Sequence, residues 1–291
     1  MRFVWEILIK NIMKLMIGGV YMHINTTSKV LMEQSICTIL NINKDTLYDL
    51  LEESYNKFQK DHHVFIIDNQ YDYFYDYVKK HLCKSIDSVS LYHLSRRLND
   101  NEDDNGYSLV DVLCNDTSLS RFLKKYGLTF KYDEYIKMYL NGEKIILDQS
   151  NDYSTVFLRQ VFGYEYQDYC FKGFAFNDAI EKNEYYEILK DGPELFGYLF
   201  SFADNDQFID DFIAHSKYYK FEYQVPIEQI YFEYYDELND QEKQYHIVVK
   251  ALQRLYAHKY DSVDLYDDNP VIGIIDDKTL GSQYLVCKQE L

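Results

Sequence analysis

Apolar residues recur at helical spacing early in the chain. Val30, Leu31, Ile36 and Leu40 follow two cap candidates, Thr27 and Ser28, and Leu47, Leu50, Leu51, Tyr55 and Phe58 follow Asn43 or Asp45. The spacing predicts a helical N-terminal part. Val64–Asp68 (VFIID) reads as a short strand, and Asp72 to Cys83 as an aromatic-rich helix. The compact β-forming run Val89–Leu94 (VSLYHL) then predicts a strand, followed by an acidic, exposed loop at Asn99–Gly106. Ser118–Lys125 (SLSRFLKK) predicts a helix with Gly127 as its terminator. Tyr135, Lys137 and Tyr139 alternate with Ile136, Met138 and Leu140 before Asn141-Gly142, the pattern of a hairpin. Further strands are expected in Asp168–Phe176, Tyr218–Pro226, Gln229–Tyr235, Val271–Ile275 and Tyr284–Val286. Helices are expected from a cap at Asn177 and over Asp236–Tyr260. The class is α+β: a mainly helical region over 1–85, then over 86–291 a mixed, mainly antiparallel sheet with flanking helices.

Composition narrows the function. The opening stretch is apolar, but Arg2, Glu6, Lys10 and Lys14 interrupt it, so it predicts neither a membrane span nor a signal peptide. It reads either as an amphipathic helix or as a start assigned too early, with Met22 opening the native chain. Five cysteines without a C-x-x-C pair point to free thiols in a reducing cytoplasm, without structural zinc. His62-His63 is a poor metal pair, because adjacent side chains face different ways. A formal charge of −18 repels phosphate backbones and anionic membranes. It therefore argues against direct nucleic-acid or membrane binding and for a basic protein partner. The 31 tyrosines suit interfaces as well as cores, including those of a homo-oligomer.

Phosphate-binding, dinucleotide, serine-hydrolase and zinc-protease signatures are absent from the sequence. One ordered set stands out: Leu91–Leu98 (LYHLSRRL), Lys124–Phe130 (KKYGLTF), Asp168–Phe176 (DYCFKGFAF) and Tyr218–Glu233 (YYKFEYQVPIEQIYFE). In content and order this set resembles the ADP-ribosyltransferase superfamily, with Leu94 where that family usually carries glycine. The resemblance implies an enzyme that uses NAD. His93 would anchor the ribose on the nicotinamide side, Phe174 or Phe176 would stack on nicotinamide, and Glu228 or Glu233 would stabilise the oxocarbenium-like transition state. Arg96 or Arg97 would meet the dinucleotide phosphates with a bidentate fork. No metal is implied.

A second class needs no catalysis. The acidic, motif-poor chain is similar in general character to small proteins of phages and mobile elements of low-GC bacteria, among them anti-defence inhibitors. Such a protein would bind a basic, nucleic-acid-handling host complex and block DNA access, using the acidic segments Asn99–Asn105 and Asp204–Asp211 as phosphate-like surfaces.

Overall fold

The computed structural model describes residues 22–58, 67–147, 152–203, 207–260, 269–275 and 278–291. The opening stretch before Met22, His62-His63, the first three residues of Val64–Asp68 and Asp204–Asp206 lie outside them. The chain runs β1 (His23–Ile24), α1 (Lys29–Leu40), α2 (Lys44–Phe58), α3 (Ile67–His81), β2 (Ser88–Leu98), α4 (Leu109–Cys114), α5 (Ser118–Lys125), β3 (Leu128–Asp133), β4 (Tyr135–Leu140) and β5 (Glu143–Lys144). It continues through α6 (Tyr153–Val161), β6 (Lys172–Phe174), α7 (Glu184–Lys190), α8 (Glu194–Ala203), α9 (Gln207–Ala214), β7 (Ser216–Pro226), β8 (Ile230–Phe232), α10 (Asp240–Tyr260), β9 (Val271–Ile274) and β10 (Leu285–Glu290). Helices and mainly antiparallel strands together make this an α+β fold.

Local chemistry sets most boundaries. The Ser28 hydroxyl accepts from the Leu31 amide at 3.4 Å to open α1, and the Asn43 side chain accepts from the Thr46 amide at 2.8 Å to open α2. Thr117 and Ser120 form a reciprocal capping box on α5, and Gly127 supplies a left-handed φ of 78° after it. The Asn141-Gly142 turn has positive φ at both residues, 52° and 88°, as a tight hairpin turn requires. It joins β4 to a β5 of only two residues. The longer hairpin lies on the other side, where six residues of β3 pair with β4 around Glu134, whose φ is 65°.

Other expectations change. Ile67 belongs to α3, so the end of the Val64–Asp68 run is helical rather than extended. Only Lys172–Phe174 of the Asp168–Phe176 run is strand. Asn177 caps no helix: its side-chain amide donates to the Thr27 carbonyl at 3.2 Å, and Asn183 caps α7 instead. Residues 99–106 do form a loop, but its second half is anchored. The Tyr223 hydroxyl donates to the Asp104 carbonyl at 2.7 Å, Lys288 pairs with the Asp104 carboxylate at 2.7 Å, and Asn105 accepts from the Ser282 amide at 2.6 Å. Gln207–Asp211, the described end of the second acidic segment, sits on α9, whose Phe208 and Phe212 are buried.

One sheet has the order β10-β7-β2-β6-β9-β8, with β1 added parallel to β2; β3-β4-β5 form a second. The largest core joins α1, α2, α3 and α10 to one face of the large sheet, running from Met22 through Val89, Phe221 and Leu252 to Leu280. It crosses Ser85 without a break, so the two sides of the expected boundary share one core. A separate core is built from the chain between β2 and β7, with Leu123, Phe130, Met138, Phe162, Phe196 and Phe212 at its centre. The buried Arg254 guanidinium ties α10 to the segment after β6 through Asp178, 3.0 Å away. Among the described residues no helix is long and apolar enough to cross a membrane.

Candidate active site

β2 is held unequally along its two edges. Towards β7 it pairs over all eleven residues, from Ser88↔Pro226 to Leu98↔Ser216. Towards the other side it pairs with β1 at Ser88 and Val89 and with β6 only at Tyr92↔Phe174. Gly173 allows this close seam: a β-carbon there would lie 2.5 Å from the Leu91 side chain and 2.7 Å from the Tyr92 carbonyl oxygen. Beyond the seam β2 and β6 part, and a cleft of about 760 Å³ opens against His93, Ser95 and Arg97 on one wall and Glu165–Lys172 on another. Successive strand residues point to opposite faces, so His93, Ser95 and Arg97 share the cleft side over about 13 Å.

His93 is held at the mouth of that divergence. Its ring packs on Phe171 with centroids 4.3 Å apart, and Nδ1 donates to the Lys172 carbonyl at 2.8 Å. Burial, helped by the positive charge of Arg97, lowers its pKa to about 3, which outweighs the opposing effect of the Lys172 carbonyl. The imidazole is therefore neutral at physiological pH. With the proton on Nδ1, Nε2 is left as a hydrogen-bond acceptor.

Arg97, four residues on, lies over the Phe221 ring at 5.0 Å and has one long bond, from its terminal nitrogen to the Asn105 carbonyl at 3.5 Å. Its Nε is buried without a hydrogen-bond partner. Burial lowers its pKa, opposed by Tyr223, Asp104 and Asp103, and as a guanidinium it keeps its charge. Arg96 also lines the cleft but is committed: Nε donates to Ser216 Oγ at 2.8 Å, and its terminal nitrogens donate to the carbonyls of Lys190, Ile213 and Ser216 at 2.7, 3.0 and 2.8 Å. Of the two arginines expected to meet phosphates, Arg96 is a structural clamp, and Arg97 has donor capacity to spare.

The expected stacking rings are not in the cleft. Directly opposed residues of an antiparallel pair share a face, so Phe174 follows Tyr92 onto the side away from His93. It is buried there with Leu94, Ile180 and Tyr218. Phe176 is buried in the largest core, with the Arg254 guanidinium 5.9 Å from its ring. Phe171, in the same quoted run, is the ring that meets His93. Strand parity puts Phe171 and the seam residue Gly173 on the His93 face and Phe174 on the other.

The two expected carboxylates also separate. Glu228 is exposed in the turn after β7, beyond the end that pairs with Ser88. That is about 17 Å along the sheet from His93. Glu233 is partly buried just beyond β8, and its Oε1 lies 2.7 Å from Lys172 Nζ, which is also 2.6 Å from Asp168 Oδ2. Burial disfavours the Lys172 charge, but these two bonds outweigh it and its pKa is raised; Asp168 is correspondingly lowered despite its own burial. Glu233 lines a neighbouring cleft of about 560 Å³ that shares Tyr166, Asp168 and Cys170 with the first. Its partner Lys172 carries its side chain on the Tyr92 and Phe174 face of the sheet, away from His93, which meets only the Lys172 carbonyl.

Cys170, 2.7 Å from the Tyr231 hydroxyl and 3.1 Å from Asp168 Oδ1, has its pKa pushed up to about 12, chiefly by burial. It is a thiol at neutral pH, not a nucleophilic thiolate. Asp168, Phe171 and Lys172 all lie in the run already singled out in the sequence. What sequence could not supply was the contact between Lys172 and Glu233, 61 residues apart. Among the described residues no group of three His, Cys, Asp or Glu side chains is arranged to hold a metal ion.

Comparison of the chain with family models, with characterised proteins and with solved structures returns no match.

Proposed function

We propose that the His93 cleft binds NAD and that the chain is an ADP-ribosyltransferase-like protein. One observation carries this reading. Where the two resembling strands part, a neutral imidazole is locked by the Lys172 carbonyl with its free nitrogen as an acceptor, the state needed to receive a ribose hydroxyl. The orphaned Nε of Arg97, further along the same wall, fits a phosphate of the dinucleotide. Phe171, rather than Phe174 or Phe176, is the ring beside His93.

NAD would supply the glycosidic bond to nicotinamide, whose cleavage builds positive charge on the ribose. Glu233 faces the neighbouring cleft and pairs with Lys172, so it would act on that charge only through Lys172, and Glu228 has no part in it. Because Lys172 already shares the charge of Glu233 with Asp168, Glu233 is a weaker stabiliser than a free carboxylate, and slow turnover is expected.

The test is incubation of the whole chain with labelled NAD and a cell lysate, reading nicotinamide release and label on any acceptor. His93→Ala and Arg97→Ala should abolish both signals, Glu233→Gln should lower turnover while keeping NAD binding, and Glu228→Gln should behave as wild type. No NAD binding and no transfer by the wild type would overturn the reading, leaving a non-enzymatic acidic protein that docks on a basic partner.

A further inference from the structure

Lys172, Gly273 and Tyr231 are cross-strand neighbours on β6, β9 and β8, and they share the face of the large sheet turned away from its largest core; Phe232 and Ile272, of opposite parity, are buried in that core. Gly273 lets the Tyr231 ring lie over the strand, since a β-carbon there would come within 2.4 Å of it. That ring belongs to the second cleft, of about 560 Å³, which also has Tyr166 and Tyr234, the half-buried Ile275, and the carboxylates of Asp168, Glu233 and Asp236. Tyr166 and Tyr234 are 71% and 91% exposed and meet no other ring and no cation among the described residues. Asp168 and Glu233 share the ammonium of Lys172, at 2.6 and 2.7 Å, and Asp236 is exposed with no cation within 4 Å among the described residues. The Lys172 bond uses Oε1 of Glu233 and leaves Oε2 to accept. Three carboxylates against one ammonium leave the cleft negative, and its two outer rings are unoccupied.

We propose that this cleft docks an arginine side chain of a basic protein partner. Carboxylates and tyrosine faces both attract a guanidinium, whose planar fork would meet Glu233 Oε2 or Asp236 while its flat side stacks on Tyr234 or Tyr166. The hydrocarbon stem would lie along Ile275. A lysine ammonium would find the same charge, but it is more strongly hydrated and has no flat face to stack. The total charge of −18 draws a basic surface towards the chain, and salt screens that attraction. The inference stands apart from the NAD reading, although Tyr166, Asp168 and Cys170 are common to both clefts and set a docked arginine beside the first.

The test is fluorescence anisotropy of a labelled, end-blocked Gly-Arg-Gly-Arg-Gly peptide with the whole chain, from low to physiological salt. Wild type should bind saturably at low salt and more weakly as salt rises. The same peptide with lysine in place of arginine should bind at least about threefold more weakly, and one with neutral citrulline should not bind. The exposed double change Tyr166→Ala/Tyr234→Ala should weaken binding about tenfold, and Asp236→Asn about threefold, with circular dichroism spectra unchanged. His93→Ala should bind the peptide as wild type does, which separates this cleft from the NAD site. No binding by the wild type at low salt, or equal binding of the citrulline peptide, would overturn the proposal. Unchanged affinity in the double tyrosine variant would overturn it as well, by placing the peptide elsewhere on the acidic surface. Equal affinity for the lysine peptide would overturn the assignment to a guanidinium.

Discussion

His93 and His246 share a protonation state and its causes and differ in what encloses them. Burial depresses both to about 3, with a nearby cation, Arg97 or Lys250, adding to the effect. His246 is enclosed: the Tyr71 hydroxyl meets Nδ1 at 2.8 Å, and the rings of Phe232 and Tyr235 lie 4.7 and 4.5 Å away. His93 is packed on one side by Phe171 and lines a cleft on the other. A depressed pKa is therefore a consequence of burial at both places, and access to an unused acceptor is what separates a candidate site from a core residue.

Truncating each histidine should split the two roles. His246→Ala leaves a cavity among aromatic rings and strands a tyrosine hydroxyl, and should lower the unfolding free energy by about 2–4 kcal/mol in denaturant titrations while leaving the His93 cleft intact. Next in size, Gly173→Ala forces a methyl group into the β2–β6 seam and should cost about 1–3 kcal/mol. Because that seam positions His93 against the Lys172 carbonyl, this variant should also lose NAD binding. His93→Ala should cost only about 1–2 kcal/mol, one hydrogen bond and a partial ring contact, yet abolish binding.

Acid should reveal both histidines together. Each is neutral in the fold down to about pH 3, whereas in the unfolded chain it takes up a proton below about pH 6.5. The unfolded state thus binds more protons through that window. Stability is complete above about pH 6.5 and falls as the pH drops towards 3, by up to about 1.4 kcal/mol per pH unit for each histidine. Urea unfolding across this range should show the slope, and His246→Phe should remove one proton's share of it. The smallest effect should come from Glu228→Gln, exposed in a turn, with a stability change within about 0.5 kcal/mol.

Much of the fold was legible because local chemistry decided it. Ser28, Asn43, Gly127 and Asn141-Gly142 act through groups within a few residues, and the structure uses each as its residue type demands. Where the outcome depended on a distant partner, sequence went astray. Asn177 could cap a helix as well as Asn183, and only its contact with Thr27 decides between them. The site was half legible for the same reason. LYHLSRRL and DYCFKGFAF do face one cleft, but strand parity turned Phe174 away from it, the carbonyls of α9 and its surroundings consumed Arg96, and Lys172 drew Glu233 close while Glu228 stayed at the far end of β7.

The central claim is tested most directly by calorimetric titration of NAD into the intact chain, with His93→Ala, Arg97→Ala and Glu228→Gln beside it and their folding checked by circular dichroism. Saturable heat in the wild type and in Glu228→Gln, absent from the His93 and Arg97 variants, is the expected result. No saturable heat in the wild type at millimolar NAD, or equal binding by all four proteins, would contradict it.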